Sequence, residues 1–91
     1  MYRVMIVDDE EPVLDSFSFI LEKGNNGFEL CGTARSGSEA IRLMSELNPD
    51  VVFMDIQMPG LNGIDTIDQA RHRHPNTVFI LATAYERFDI A

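Results

Sequence analysis

Three carboxylates in this chain are spaced so that they could act together. Asp8 and Asp9 close the apolar run Val4-Met5-Ile6-Val7, and Asp55 closes a second run, Val51-Val52-Phe53-Met54. No polar residue interrupts either run, so each predicts a strand buried on both faces. Laid side by side and parallel, the two strands deliver their carboxylates to one edge of the sheet. That edge, at the strands' carboxyl ends, is where open α/β sheets bind ligands. Crowded carboxylates repel: at about 5 Å and an effective dielectric near 20, a pair of full charges costs on the order of 3 kcal/mol. A divalent cation removes that cost. The expected object is a hard-metal site built from oxygen ligands, with room left for an anion.

The elements that must position these groups follow from the rest of the chain. The first strand covers about residues 3–8. Glu10, Glu11 and Pro12 suit the start of a helix. Val13, Leu14, Phe17, Ile20 and Leu21 then recur at helical spacing, predicting a helix over 12–23. Gly24-Asn25-Asn26-Gly27 ends it in a turn. Phe28 to Ala34 alternates apolar with polar or small residues, as an edge strand with one wetter face does. Ser36-Gly37-Ser38-Glu39 is a capping box opening a helix that buries Ala40, Ile41, Leu43, Met44 and Leu47. Asn48-Pro49 stops it. The strand Asp50 to Met54 follows, then a loop to Asn62, which can cap a third helix carrying Ile64, Ile67 and Ala70 and ending by His74-Pro75-Asn76. Val78 to Ala82, within Thr77 to Thr83, predicts a fourth buried strand, and Ala84 to Ala91 a loop entering a helix. This βαβαβαβ order implies a parallel sheet with right-handed crossovers and helices on both faces.

Bulk properties narrow the function. The chain has 91 residues, 45% apolar and 24% charged, the balance of one small soluble domain. Its net charge of −8 argues against a direct grip on nucleic-acid phosphates or an anionic membrane. The single cysteine, Cys31, excludes an internal disulfide and reads as a small core residue. No apolar stretch is long enough to span a bilayer, and the N-terminus enters a strand at once, so neither a membrane span nor a signal peptide is expected. A cytoplasmic address follows. His72 and His74, near the end of the third helix, are expected to complement its dipole.

Val7-Asp8-Asp9-Glu10, Met54-Asp55-Ile56-Gln57-Met58-Pro59-Gly60-Leu61-Asn62-Gly63 and Leu81-Ala82-Thr83-Ala84 resemble, in residue type and spacing, the receiver domain of two-component response regulators. The resemblance runs over residues 1–91. It implies a flavodoxin-like, doubly wound parallel sheet of order 2-1-3-4, and a phosphoacceptor switch rather than an enzyme. Asp55 matches the phosphoacceptor, and Thr83 the hydroxyl that binds a phosphoryl oxygen and shifts on activation. Asp9 matches the direct Mg2+ ligand and Asp8 the carboxylate acting through water. Asp55 and the backbone carbonyl of Gln57 complete the metal set. A sensor histidine kinase would be the donor, and the tail Tyr85 to Ala91 resembles that of transcriptional regulators with a DNA-binding output domain.

The resemblance further implies a fifth strand and fifth helix, with a phosphate-pairing lysine, that this chain lacks; Lys23 lies elsewhere. The domain is therefore expected to be incomplete at its C-terminus. Its fourth strand would have an open edge that invites a homodimer or segment exchange. A receiver scaffold that no longer switches, serving as an interaction domain, is the alternative. A phosphohydrolase of similar layering ranks lower, because Gln57 stands where those enzymes carry a second aspartate.

Overall fold

The computed structural model describes residues 1–24 and 27–82. The elements run β1 (Tyr2–Val7), α1 (Glu11–Lys23), β2 (Phe28–Ala34), α2 (Gly37–Leu47), β3 (Val51–Asp55), α3 (Gly63–Ala70) and β4 (Val78–Ala82). The strands form one sheet in the order β2-β1-β3-β4, and every neighbouring pair is parallel. The expected order and direction are those observed, with β2 on the edge.

Alternate residues of the strands feed two cores, as the period of two in a strand requires. Met5, Val7, Val52 and Met54 join Ala40 and Met44 of α2 and Ala70 of α3 on one face. Val4 and Ile6 join Leu14 of α1 on the other, with Phe17, Leu21, Val51 and Phe53 packed against them. Caps fix where the helices start. Ser36 Oγ accepts from the Glu39 N–H at 3.1 Å, and Asn62 Oδ1 accepts from the Asp65 N–H at 2.9 Å. Glu39 reaches back one residue beyond the cap, accepting from the Arg35 N–H at 2.8 Å.

The structure corrects the sequence reading in several places. The first strand ends at Val7 and α1 begins at Glu11, with Pro12 in its first turn. β2 does not alternate evenly. Its register against β1 slips between Val4 and Met5, which face Leu30 and Gly32 and leave Cys31 unmatched. The bulge places Gly32 under α2, where a Cβ would come within 2.7 Å of Leu47 Cδ1. A side chain at this position would have to displace the end of Leu47. Ile64 is exposed; Thr66 faces inward instead, fully buried, its hydroxyl donating to the Asn62 carbonyl at 2.7 Å. His74 is buried beyond the end of α3 rather than set on its last turn.

The largest departure concerns the α1 face. β3 is not buried on both sides, since Val51 and Phe53 are only half-buried while Val52 and Met54 are fully so. β4 is not a buried strand: Val78 is 57% exposed and Ile80 41%. α1 packs on β1 and β2 and reaches β3 through Phe17, whose ring centroid lies 5.5 Å from that of Phe53, while Val78 and Ile80 of β4 stay exposed on that side. Tyr2, Phe17, Ile20, Phe53, Val78 and Ile80 line an apolar groove of about 540 Å³ there.

Candidate phosphoryl and metal site

β1 and β3 are adjacent and parallel, with Val7 level with Met54. Their next residues, Asp8 and Asp55, therefore emerge side by side at the carboxyl edge of the sheet. Asp8 is held twice. Its N–H donates to the Ala34 carbonyl at 3.0 Å, extending the β1–β2 ladder, and its Oδ1 accepts from the Glu10 N–H at 2.9 Å. Asp55 Oδ1 accepts from the Gln57 N–H at 3.2 Å, which turns the chain out of β3. Asp8, Asp9 and Asp55 are half-buried, and each offers a carboxylate oxygen within 4.8 Å of the others'. The convergence expected from the two apolar runs is the one found.

The electrostatics record the crowding. Burial pushes the Asp8 carboxyl above its usual value, and the charges of Asp9 and Glu10 add to this against the Glu10 N–H. Burial likewise raises Asp55, with Asp8 the next cause, opposed by the hydrogen bond from Gln57. An oxygen-only donor set with excess negative charge suits a hard divalent ion, Mg2+ or Ca2+. The residues present therefore fit the metal that the resemblance implies. Gln57 is exposed beside Asp55. Thr83 lies outside the described residues, one position past Ala82, which pairs with Asp55. The tail Tyr85 to Ala91 lies outside them too.

The loop after Asp55 returns under it. The Gly63 N–H donates to the Ile56 carbonyl at 3.0 Å, and a Cβ at Gly63 would overlap the Asp55 carbonyl oxygen. Met58 anchors the same loop, buried in the core that α2 and α3 cover. Met58 and Gly63 thus tie the loop to the core and to the end of β3. One residue escaped the sequence reading altogether. Arg35, just past β2, donates from Nη2 to the Asp9 carbonyl at 3.1 Å and pairs through Nη1 with Glu11 at 3.2 Å. Nothing in the local pattern marks an exposed arginine for such a contact. Cys31 packs beside the core, and burial pushes its thiol pKa up.

Comparison with known proteins agrees with this geometry. Residues 4–91 match the response regulator receiver domain family. The chain is 42% identical over 82 residues to the chemotaxis protein CheY of Thermotoga maritima, covering 90% of this chain and 67% of CheY. It is 36% identical over 86 residues to the transcriptional regulatory protein YdfI of Bacillus subtilis, covering 94% of this chain but only 40% of YdfI. Among solved structures, it superposes on the receiver domain of the response regulator AraT from Geobacillus stearothermophilus with a TM-score of 0.85 and 29% identity, covering 98% of this chain and 69% of that one. CheY of Borrelia burgdorferi, in a complex with CheX, BeF3− and Mg2+, gives a TM-score of 0.82 at 29% identity, over 93% and 63% of the two chains. The chain belongs to the response regulator receiver domain family, whose members serve as phosphoacceptor switch modules.

Proposed function

We propose that residues 1–91 form one receiver unit in which Asp55 accepts a phosphoryl group from a sensor histidine kinase. The observation that carries this reading is the meeting of the Asp8, Asp9 and Asp55 carboxylates within 4.8 Å at the carboxyl edge of two adjacent parallel strands. In the transfer, a carboxylate oxygen of Asp55 attacks phosphorus in line. The new P–O bond forms as the P–N bond of the donor phosphohistidine breaks, and the departing imidazole keeps the electron pair and takes up a proton. Asp8, Asp9, Asp55 and the Gln57 carbonyl would hold Mg2+. Bound there, it would supply neutralisation of charge on the phosphoryl oxygens and relief of the repulsion among the carboxylates. The Thr83 hydroxyl would bind one phosphoryl oxygen and carry the change to the neighbouring surface. The unit acts as a stoichiometric acceptor rather than a turnover enzyme.

The natural setting of such a switch is the cytoplasm, facing the kinase; none of the described helices is long and apolar enough to cross a membrane. Similarity to YdfI supports an output domain of the transcriptional kind in the intact protein. A second copy of the chain is a further partner. Among the described residues β4 is an edge strand with Val78, Ile80 and Leu81 exposed, and such edges pair with other chains.

Mass spectrometry after incubation with a small phosphodonor and Mg2+ tests the reading. One phosphoryl adduct is expected on the wild type, sensitive to hydroxylamine as an acyl phosphate is, and none on Asp55→Asn. An adduct of equal yield on Asp55→Asn, or no adduct at any Mg2+ concentration, contradicts it.

A further inference from the structure

The turn that carries Asp8 and Asp9 is held from the β2 side by one side chain. Arg35 donates from Nη2 to the Asp9 carbonyl at 3.1 Å, and its Nη1 lies 3.2 Å from Glu11 Oε1. Its own backbone is fastened in turn, because the Arg35 N–H donates to Glu39 in the first turn of α2. One residue earlier, the Asp8 N–H is bonded to the Ala34 carbonyl at 3.0 Å. The peptide plane before Asp8 and the one after Asp9 are therefore anchored by consecutive residues of the β2 end, which fastens the Asp8-Asp9 turn at both ends. Only the two soft dihedrals of each of these two residues lie between the anchors, so the anchors limit the directions their side chains can take. Within this turn the Asp9 carboxylate lies beside those of Asp8 and Asp55.

We propose that Arg35 is a positioning residue for the metal-binding turn, presenting the Asp9 carboxylate without itself touching metal or phosphoryl group. The inference rests on the reading of the acidic cluster as a Mg2+ site. A planar fork of donors suits this task, since it engages the Asp9 carbonyl and the Glu11 carboxylate at once, whereas a lysine is a point charge on a flexible stem. Both ends of the ion pair are exposed, 58% for Arg35 and 62% for Glu11, so the pair contributes little to the fold as a whole. The competing role for a cation beside three carboxylates is purely electrostatic. In that role Arg35 would repel Mg2+, and its removal would tighten binding. The two roles predict opposite signs.

Calorimetric Mg2+ titration of the 91-residue chain at about 0.15 M ionic strength separates them, because exposed charges more than about 8 Å apart are largely screened there. Positioning predicts that Kd rises roughly two- to fivefold in Arg35→Ala, the range expected for losing an exposed, geometry-setting contact. Arg35→Lys keeps the charge but loses the fork, and is also expected to bind more weakly than wild type. The thermal midpoint of the metal-free variants should stay within about two degrees of wild type, which a merely structural role would not allow. Phosphoryl adduct on Asp55 at saturating Mg2+ should return to the wild-type level. Arg35→Ala binding Mg2+ as tightly as wild type, or Arg35→Lys binding with wild-type affinity, overturns the inference. A wild type that binds no Mg2+ overturns the metal-site reading and this inference together, and is distinguished by needing no variant to see it.

Discussion

Asp8 and Asp55 each hold their proton more tightly in the folded chain than an isolated carboxylate does, because burial and like charge disfavour the ionised form. The folded state therefore binds more protons than the unfolded state between the ordinary value of 3.8 and the raised ones. Where that holds, stability falls as pH rises. The contribution of this pair to the metal-free chain is thus destabilising at neutral pH, and is relieved as pH falls through the raised values toward 3.8. Asp55→Asn removes one of the charges. It should raise the metal-free stability at pH 7 by on the order of 1 kcal/mol, the water-limit repulsion of two charges about 4 Å apart, and the thermal midpoint by about 4–8 °C in a domain of this size. Differential scanning calorimetry from pH 7 downward checks both parts: the variant should gain at pH 7, and its advantage should shrink as pH falls toward 3.8. A variant less stable than wild type at pH 7 contradicts the electrostatic account of the site.

At the scale of elements, the site depends on loops pressed against strand ends. Gly63 lets α3 begin directly against the Asp55 carbonyl, where any Cβ would overlap it. Gly63→Ala should cost about 1–3 kcal/mol, the usual penalty for overpacking a tight site, and should weaken Mg2+ binding because the Asp55 backbone must shift. Urea denaturation and Mg2+ titration read the two effects. By contrast, Gly60→Ala meets nothing within 4 Å and suffers only from its positive φ of 77°, so its effect should be confined to the loop. The strands and caps were legible because their signals are local. Uninterrupted apolar runs mark β1 and β3, Ser36 with Glu39 marks the start of α2, and Asn62 marks that of α3. The bulge at Cys31 was not legible. It answers to Leu47, a residue on another element, so no pattern within Phe28 to Ala34 could disclose it. Thr66 was hidden for a similar reason: a hydroxyl bonded within its own helix packs inward against α2, where an apolar pattern looks for isoleucine.

Across the whole molecule, coverage of the sheet is uneven. Among the described residues, α2 and α3 cover one face, and α1 shields β1, β2 and part of β3 on the other. Apolar composition predicted β4 to be buried, but burial depends on what lies over a strand, and composition carries no record of that. The exposed Val78 and Ile80 give the account a test at this scale. Light scattering during size-exclusion chromatography should show the 91-residue chain associating at micromolar concentration. Ile80→Lys should shift it toward monomer with little change in Mg2+ affinity. A wild type that is monomeric throughout that range argues against self-pairing, while leaving the site chemistry untouched. The acidic site itself was legible from the chain because it needs only two strand ends in register, and both ends are announced by where the apolar runs stop.

Mg2+ binding to wild type, Asp9→Asn and Asp55→Asn, followed by calorimetry, is the measurement that bears most directly on the shared carboxylate site. One ion per chain should bind wild type, and each substitution should weaken it by tenfold or more, about 1.4 kcal/mol. Either variant binding Mg2+ as wild type does would show that the carboxylates of β1 and β3 do not serve one ion.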